Sequence, residues 1–285
     1  MSNGFGWRCL GMGVLAAVVG CSRPEEPAPA APTASVAQPK GLAVDDALVQ
    51  FSLISALASG DYSDGAPLSQ VLAGGDFGIG TFDRLDGELI VLEGKIYQAL
   101  ADGAVRSADM AGSTPFAATT FFNEDGRIEN LTAATLEDLD AQLDRQLPRA
   151  NSPYAIRIDA DLRELTLRSV PAQVPPFPPL VEVVKQQSTW KRNNVRGTLI
   201  GFRCPTWVGT LNVSGYHWHF LSEDRKFGGH VLGCEFRDGL ARYDECESVL
   251  IQIPRSKGFD AFRPDEIKKQ DINVIERQRT QTERP

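Results

Sequence analysis

All three histidines of this chain, His217, His219 and His230, fall within fourteen positions. Side chains along a strand alternate between two faces, so residues two apart share one. The spacing therefore predicts a strand on which His217 and His219 project together, while Tyr216, Trp218 and Phe220 project the other way into a core. The charged run that follows Ser222 and ends at Gly228 and Gly229 predicts a turn. The run 230–236 can then return antiparallel and carry His230 back beside the first pair. Three imidazoles on one sheet face suit Zn²⁺ or another divalent metal. Three protein ligands with one open position is the arrangement of catalytic rather than structural sites. A lone histidine is usually a satisfied core or surface residue. An H-x-H pair with the third histidine across a hairpin, and none elsewhere, points instead to one metal site. Cys204, Cys234 and Cys246 lack zinc-finger spacing and read as structural.

The first twenty residues read as a signal peptide rather than as part of the fold. Arg8 is followed by a short apolar run of small residues, too short to span a bilayer comfortably. The run stops at Val18-Val19-Gly20-Cys21, which resembles the lipobox of bacterial lipoproteins, with cleavage before Cys21 and a lipid on it. Residues 21–43 then form a tether. Five prolines and many alanines leave little to bury, so the segment is expected to stay extended or disordered. At ~3.1 Å per residue it reaches up to about 60 Å from a membrane. The expected location is therefore an exported lipoprotein, anchored on the periplasmic or cell-surface side only through Cys21.

The formal charge of −8 becomes −9 once the leader, whose one charge is Arg8, is removed. An acidic chain without a basic cluster argues against a nucleic-acid partner. In an oxidising compartment, one disulfide and one free thiol is the simplest expectation for the three remaining cysteines, with Cys234–Cys246 the favoured pair.

Along the folded part, apolar spacing over 45–58 predicts a helix stopped by Gly60. Strands are expected over 76–82, 88–92 and 95–99, with turns at Asp86-Gly87 and Glu93-Gly94, and again over 116–122. An amphipathic helix is expected over 135–147, then a strand pair over 154–158 and 164–168. A proline-rich crossing covers 174–180, a short helix 180–186 and strands 197–203, 240–243 and 248–254. The expected fold is α/β (α+β) with mixed and antiparallel β-sheets. It is divided into two sub-domains, 44–172 and a β-rich, metal-binding 173–285, with the metal site on a β-hairpin between them.

Several blocks, in order, resemble one family. GDFGIGTF (75–82), LDGEL (85–89), GKIYQ (94–98), TPF (114–116), YAIRI (154–158), PPLVEVVK (178–185), GTLIGFR (197–203), GYHWHF (215–220) and GGH (228–230) are similar to alpha-acetolactate decarboxylases. The likeness runs from about residue 47 to about 275. It implies conversion of 2-acetolactate to acetoin and CO2 at a zinc held by His217, His219 and His230, in agreement with the hairpin argument. It also points to Thr81, Glu88, Arg168 and Glu276, the last carried over by spacing, with Glu266 as a rival. A homodimer is compatible with this reading.

The chemistry wants such groups. Loss of CO2 from a β-keto acid pushes electrons onto the ketone oxygen, and a divalent metal can stabilise the resulting enediolate. Arg168 offers a fixed fork for the carboxylate or a developing oxyanion. Glu88 is expected to protonate the carbon, with Glu276 as metal-adjacent partner or second acid; which glutamate ligates is open. Thr81 would hydrogen-bond a water or the substrate hydroxyl. Two rivals carry different expectations. A cupin-like dioxygenase also uses H-x-H with a distant histidine, and Glu223 could then complete its ligand set. A metal-capturing or ligand-binding surface lipoprotein would show His-rich or acidic loops, which this sequence does not have.

Overall fold

The computed structural model describes residues 46–267 together with Ile272, Ile275 and Glu276. The leader, Cys21 and the tether lie outside the described residues. Among the described residues, fourteen strands make three sheets. The first seven-stranded sheet has the order β14-β1-β8-β3-β4-β5-β6. Its members are β1 (Ala47–Phe51), β3 (Phe77–Thr81), β4 (Glu88–Leu92), β5 (Lys95–Ala99), β6 (Val105–Ser107), β8 (Phe116–Thr120) and β14 (Ser248–Gln252). A two-stranded ribbon joins β2 (Ala66–Pro67) to β7 (Ser113–Thr114). The second sheet comprises β9 (Gly126–Ala133), β10 (Tyr154–Ser169), β11 (Ser188–Cys204), β12 (Gly215–Ser222) and β13 (Gly228–Glu245). In it β10 pairs both β11 and β13, so strands β10 to β13 close on themselves into a small barrel.

Burial explains the strands. In β3, β4 and β8 every residue is buried, so both faces of these strands are covered. Leu48, Phe77, Ile79 and Ile90 of the first sheet share one core with Ala155, Ile200, Phe202 and Leu221 of the barrel. The opposite face of the sheet packs Leu89, Val91 and Ile96 against Leu68 and Val71 of a short helix. Helix Leu136–Gln146 closes one side of the barrel through Leu139 and Leu143. The Thr135 hydroxyl caps it by accepting from the Asp138 amide at 3.2 Å, while Asp138 accepts from the Ala134 amide.

The expected α+β character with mixed and antiparallel sheets is what the chain forms. Four expectations differ. Residues 45–58 are not one helix: 47–51 form β1, paired on both edges, and Ser52 turns the chain through a left-handed φ of 65° before the helix Ile54–Ser59. Strand pairing on both sides outweighs helical apolar spacing there. The expected pair over 154–158 and 164–168 is one sixteen-residue strand, β10, whose irregularities against β13 absorb the polar middle. A boundary at 172/173 does not separate the sheets, because β9 and β10 join β11–β13 while β14 returns to the first sheet. Finally, Cys204, Cys234 and Cys246 are all free and buried. Cys234 belongs to the barrel core and Cys246 to the core between barrel and sheet, so no Cys234–Cys246 bridge forms.

Asp244, at the end of β13, is buried and accepts from the Asn123 amide at 3.3 Å. Burial, with Asp125, Asp46 and Asp76 nearby, pushes its carboxyl up to about 7. Its folded pKa lies above its unfolded value near 4. The neutral carboxyl therefore contributes stability that is full below about pH 4 and is lost as pH rises through about 7. Replacing Asp244 with Asn should raise Tm relative to the parent progressively between pH 5 and pH 8. A Tm difference that stays constant over that range would contradict the assignment.

Candidate metal centre

The hairpin expected from the histidine spacing is β12 and β13. His219 stands directly opposite His230, and the pairing continues through Phe220 with Gly229 and Leu221 with Gly228. Tyr216, Trp218 and Phe220 join the barrel core, as alternation requires. The glycines allow a close approach of backbones. A Cβ on Gly228 would meet the Phe220 carbonyl oxygen at 2.5 Å, and one on Gly229 the Arg168 carbonyl oxygen at 2.8 Å. His230 thereby arrives beside β12 and opposite Arg168, its partner across the β10–β13 pairing.

The three rings are buried, and one nitrogen of each lies within 4.8 Å of the others. Two carbonyls decide the tautomers, since a carbonyl only accepts. His219 Nδ1 donates to the Leu89 carbonyl at 3.0 Å, leaving Nε2 with its lone pair. His230 Nε2 donates to the Glu276 backbone carbonyl at 2.9 Å, leaving Nδ1. His230 Nδ1 faces His217 Nε2 at 3.2 Å, close to the separation of about 3.3 Å that two nitrogens on one tetrahedral zinc would have. His219 Nε2 is fully buried and has no hydrogen-bond partner. An orphaned acceptor of this kind costs about 1–3 kcal/mol unless something binds it.

Burial first, then the Arg168 charge, holds His217 down to about 3. Burial likewise keeps His219 and His230 well below the ordinary histidine range. All three are thus neutral at pH 7, the form that ligates metal. The orphaned nitrogen, the converging lone pairs and the neutral rings together fit a divalent ion of the zinc class.

The first sheet supplies the facing groups. Thr81, ending β3, pairs directly with Glu88, opening β4, so both side chains share the face that lines the cavity. The connection between them is tight. Arg84 and Leu85 take left-handed φ values of 61° and 58°, and Gly87 takes 90° where a Cβ would meet the Ala99 carbonyl oxygen at 2.4 Å. The Thr81 hydroxyl donates to the Gly87 carbonyl at 2.9 Å. Its proton therefore holds the turn, and towards substrate its oxygen can only accept. Glu88 Oε2 lies 3.5 Å from His219 Nε2. Burial pushes Glu88 up to about 8, with Arg168 opposing and Glu276 reinforcing the rise.

Glu276 Oε2 lies 3.5 Å from His217 Nε2, 3.7 Å from His230 Nδ1 and 3.3 Å from Arg168 Nη2. Burial raises this carboxyl too, and Arg168 opposes the rise. Glu266 is exposed in a turn, so of the two tail glutamates it is Glu276 that meets the histidines. Glu223, which a cupin-like ligand set would need, lies in the exposed loop after β12 and pairs with Arg196. Apolar side chains from Ile54, Leu57, Leu85, Phe116, Val170 and Val184 complete the cavity wall. Three contributors carried no signal in the sequence: the Leu89 and Glu276 carbonyls, and the Gln187 amide on Arg168 at 3.2 Å. Backbone oxygens leave no residue-type trace.

A buried cavity that gathers three histidines, two glutamates and an arginine makes this an α+β protein with a site that could hold a metal ion. Comparison with known proteins narrows the class. The family model for alpha-acetolactate decarboxylase matches residues 48–264. The alpha-acetolactate decarboxylase of Methanosarcina mazei is 39% identical over 232 residues, covering 81% of each chain. That of Klebsiella aerogenes is 37% identical over 215 residues, covering 75% of this chain and 83% of the relative. The crystal structure of alpha-acetolactate decarboxylase from Bacillus subtilis strain 168 superposes with a TM-score of 0.78 at 35% identity, covering 81% of this chain and 99% of that one. The chain belongs to the alpha-acetolactate decarboxylase family.

Proposed function

We propose that the chain converts 2-acetolactate to acetoin and CO2 with zinc, or a similar divalent metal, held by His217, His219 and His230. The observation that carries this reading is the orphaned, fully buried His219 Nε2 among neutral histidines, facing Glu88 in a cavity that Arg168 also lines. When bound, a divalent ion acts as a Lewis acid for charge developing on the ketone oxygen.

The chain's own residues do the rest. The Arg168 guanidinium, buried and held by Gln187 and Glu276, receives the carboxylate and holds it out of the carbonyl plane. The C–CO2 bond then breaks with its electrons flowing towards the ketone. Glu88, whose carboxyl burial pushes up, donates its proton to the carbon that carried the carboxylate. One proton is consumed for each CO2 released, and solvent restores it to Glu88. Glu276, close to two histidine nitrogens and to Arg168, is the metal-adjacent carboxylate. The apolar wall excludes water from the carbanion-like carbon and accommodates the two methyl groups of the substrate. Such a site needs no organic electron sink.

The test is incubation of the purified protein with racemic 2-acetolactate and no added organic cofactor. Acetoin and CO2 should appear in equal amounts. A folded, zinc-loaded protein that yields neither would refute the proposal.

A further inference from the structure

Arg168 is 5% exposed in its side chain, yet its donors are unequally used. Nη2 meets Glu276 Oε2 at 3.3 Å, and Nη1 donates to Gln187 Oε1 at 3.2 Å. Nε is buried with no partner, and the residue lines the cavity. A guanidinium is planar, so fixing both terminal nitrogens fixes the direction of the third N–H. Without the Gln187 contact, only an anion, Glu276, would hold the fork, and the group could turn about that single ion pair.

The position of Gln187 suits an anchor. It ends the 3-10 turn Val184–Gln186, where its backbone N–H donates to the Val184 carbonyl at 3.3 Å. The next residues enter β11, where Ser188 pairs with Ser169 and Thr189 with Arg168. The amide is therefore tied by strand register to the residue it holds. Its chemistry also matters. A glutamine oxygen accepts from Arg168 without carrying charge, so it orients the guanidinium and leaves its positive charge for the substrate.

We infer that Gln187 is a positioning residue that aims Arg168 at the substrate carboxylate through a neutral hydrogen bond. This rests on the decarboxylase reading above. Gln187→Leu removes the acceptor and keeps the charge of Arg168, so carboxylate binding survives but its aim does not. We expect kcat to fall about tenfold with KM within about twofold. Gln187→Glu keeps the acceptor and adds a competing anion, so KM for acetolactate should rise about tenfold and exceed the change in kcat. Inhibition by acetoin, which lacks the carboxylate, should stay within about twofold in both variants. Tm and metal content are measured alongside. Should Gln187→Leu not fold, Gln187→Asn, whose amide is one methylene shorter, takes its place with the same expected loss in kcat. Full activity of the Leu and Glu variants, or acetoin inhibition weakening in step with KM, would overturn the inference. Failure of the decarboxylase reading would show differently, as no acetoin from the parent protein.

Discussion

Replacing His217 with alanine should abolish both bound metal and acetoin formation. Of the three histidines it gives the cleanest test. His219 and His230 each donate to a backbone carbonyl of another segment, so their removal also cuts structural bonds. The contacts of His217, by contrast, are to His230 and Glu276 within the site itself. Its loss leaves two imidazoles, and two nitrogen ligands hold zinc far more weakly than three. Metal stabilisation of the transition-state charge is worth several kcal/mol, and each 1.36 kcal/mol is tenfold, so kcat/KM should fall on the order of 10³-fold or more. Folding should persist, because the variant removes a buried polar ring whose partners His230 and Glu276 line the cavity. The check is metal content per chain together with turnover. A variant that retains metal and full turnover would sink the three-histidine centre.

The second large effect is expected at Glu88. Gln is nearly isosteric with the buried glutamic acid but cannot deliver the proton. General acid catalysis contributes about 10²–10⁴-fold, so kcat should fall by that order while KM and metal content hold. Glu276→Gln should behave differently. That carboxylate sits near two histidine nitrogens and pairs with Arg168, whereas Glu88 meets one histidine nitrogen. Removing the charge of Glu276 should weaken metal binding as well as turnover. Loss of metal from Glu88→Gln with retention in Glu276→Gln would reverse the two roles.

The histidine centre could be read from sequence because its geometry is local. Period-two spacing sets the shared face of His217 and His219, and a short loop returns His230 to the opposite register position. Thr81 and Glu88 are the two paired ends of one hairpin, yet no spacing marks them as site residues and it is the family resemblance that points to them. Arg168 and Glu276 are distant in the chain, and only family resemblance pointed to them. Gln187 escaped because its role depends on the register of β10 against β11, a pairing no spacing rule supplies. The misreadings share a cause. Leu48 and Phe51 fit a helical stripe as well as a buried strand, and partners from β8 and β14 decide the matter. The stretch 159–163 separates the two expected strands, but long antiparallel strands carry it through with irregular pairing. The cysteine pairing failed because Cys234 and Cys246 fall in different cores.

The measurement that bears most directly on the central claim is a metal titration of the full chain. The protein is stripped with chelator, zinc is added back in steps, and acetoin formation from 2-acetolactate is followed at each step. Activity should be absent in the stripped protein and rise linearly to a plateau at one zinc per chain. Undiminished activity in the stripped protein, or a folded, zinc-saturated protein that makes no acetoin, would contradict the account.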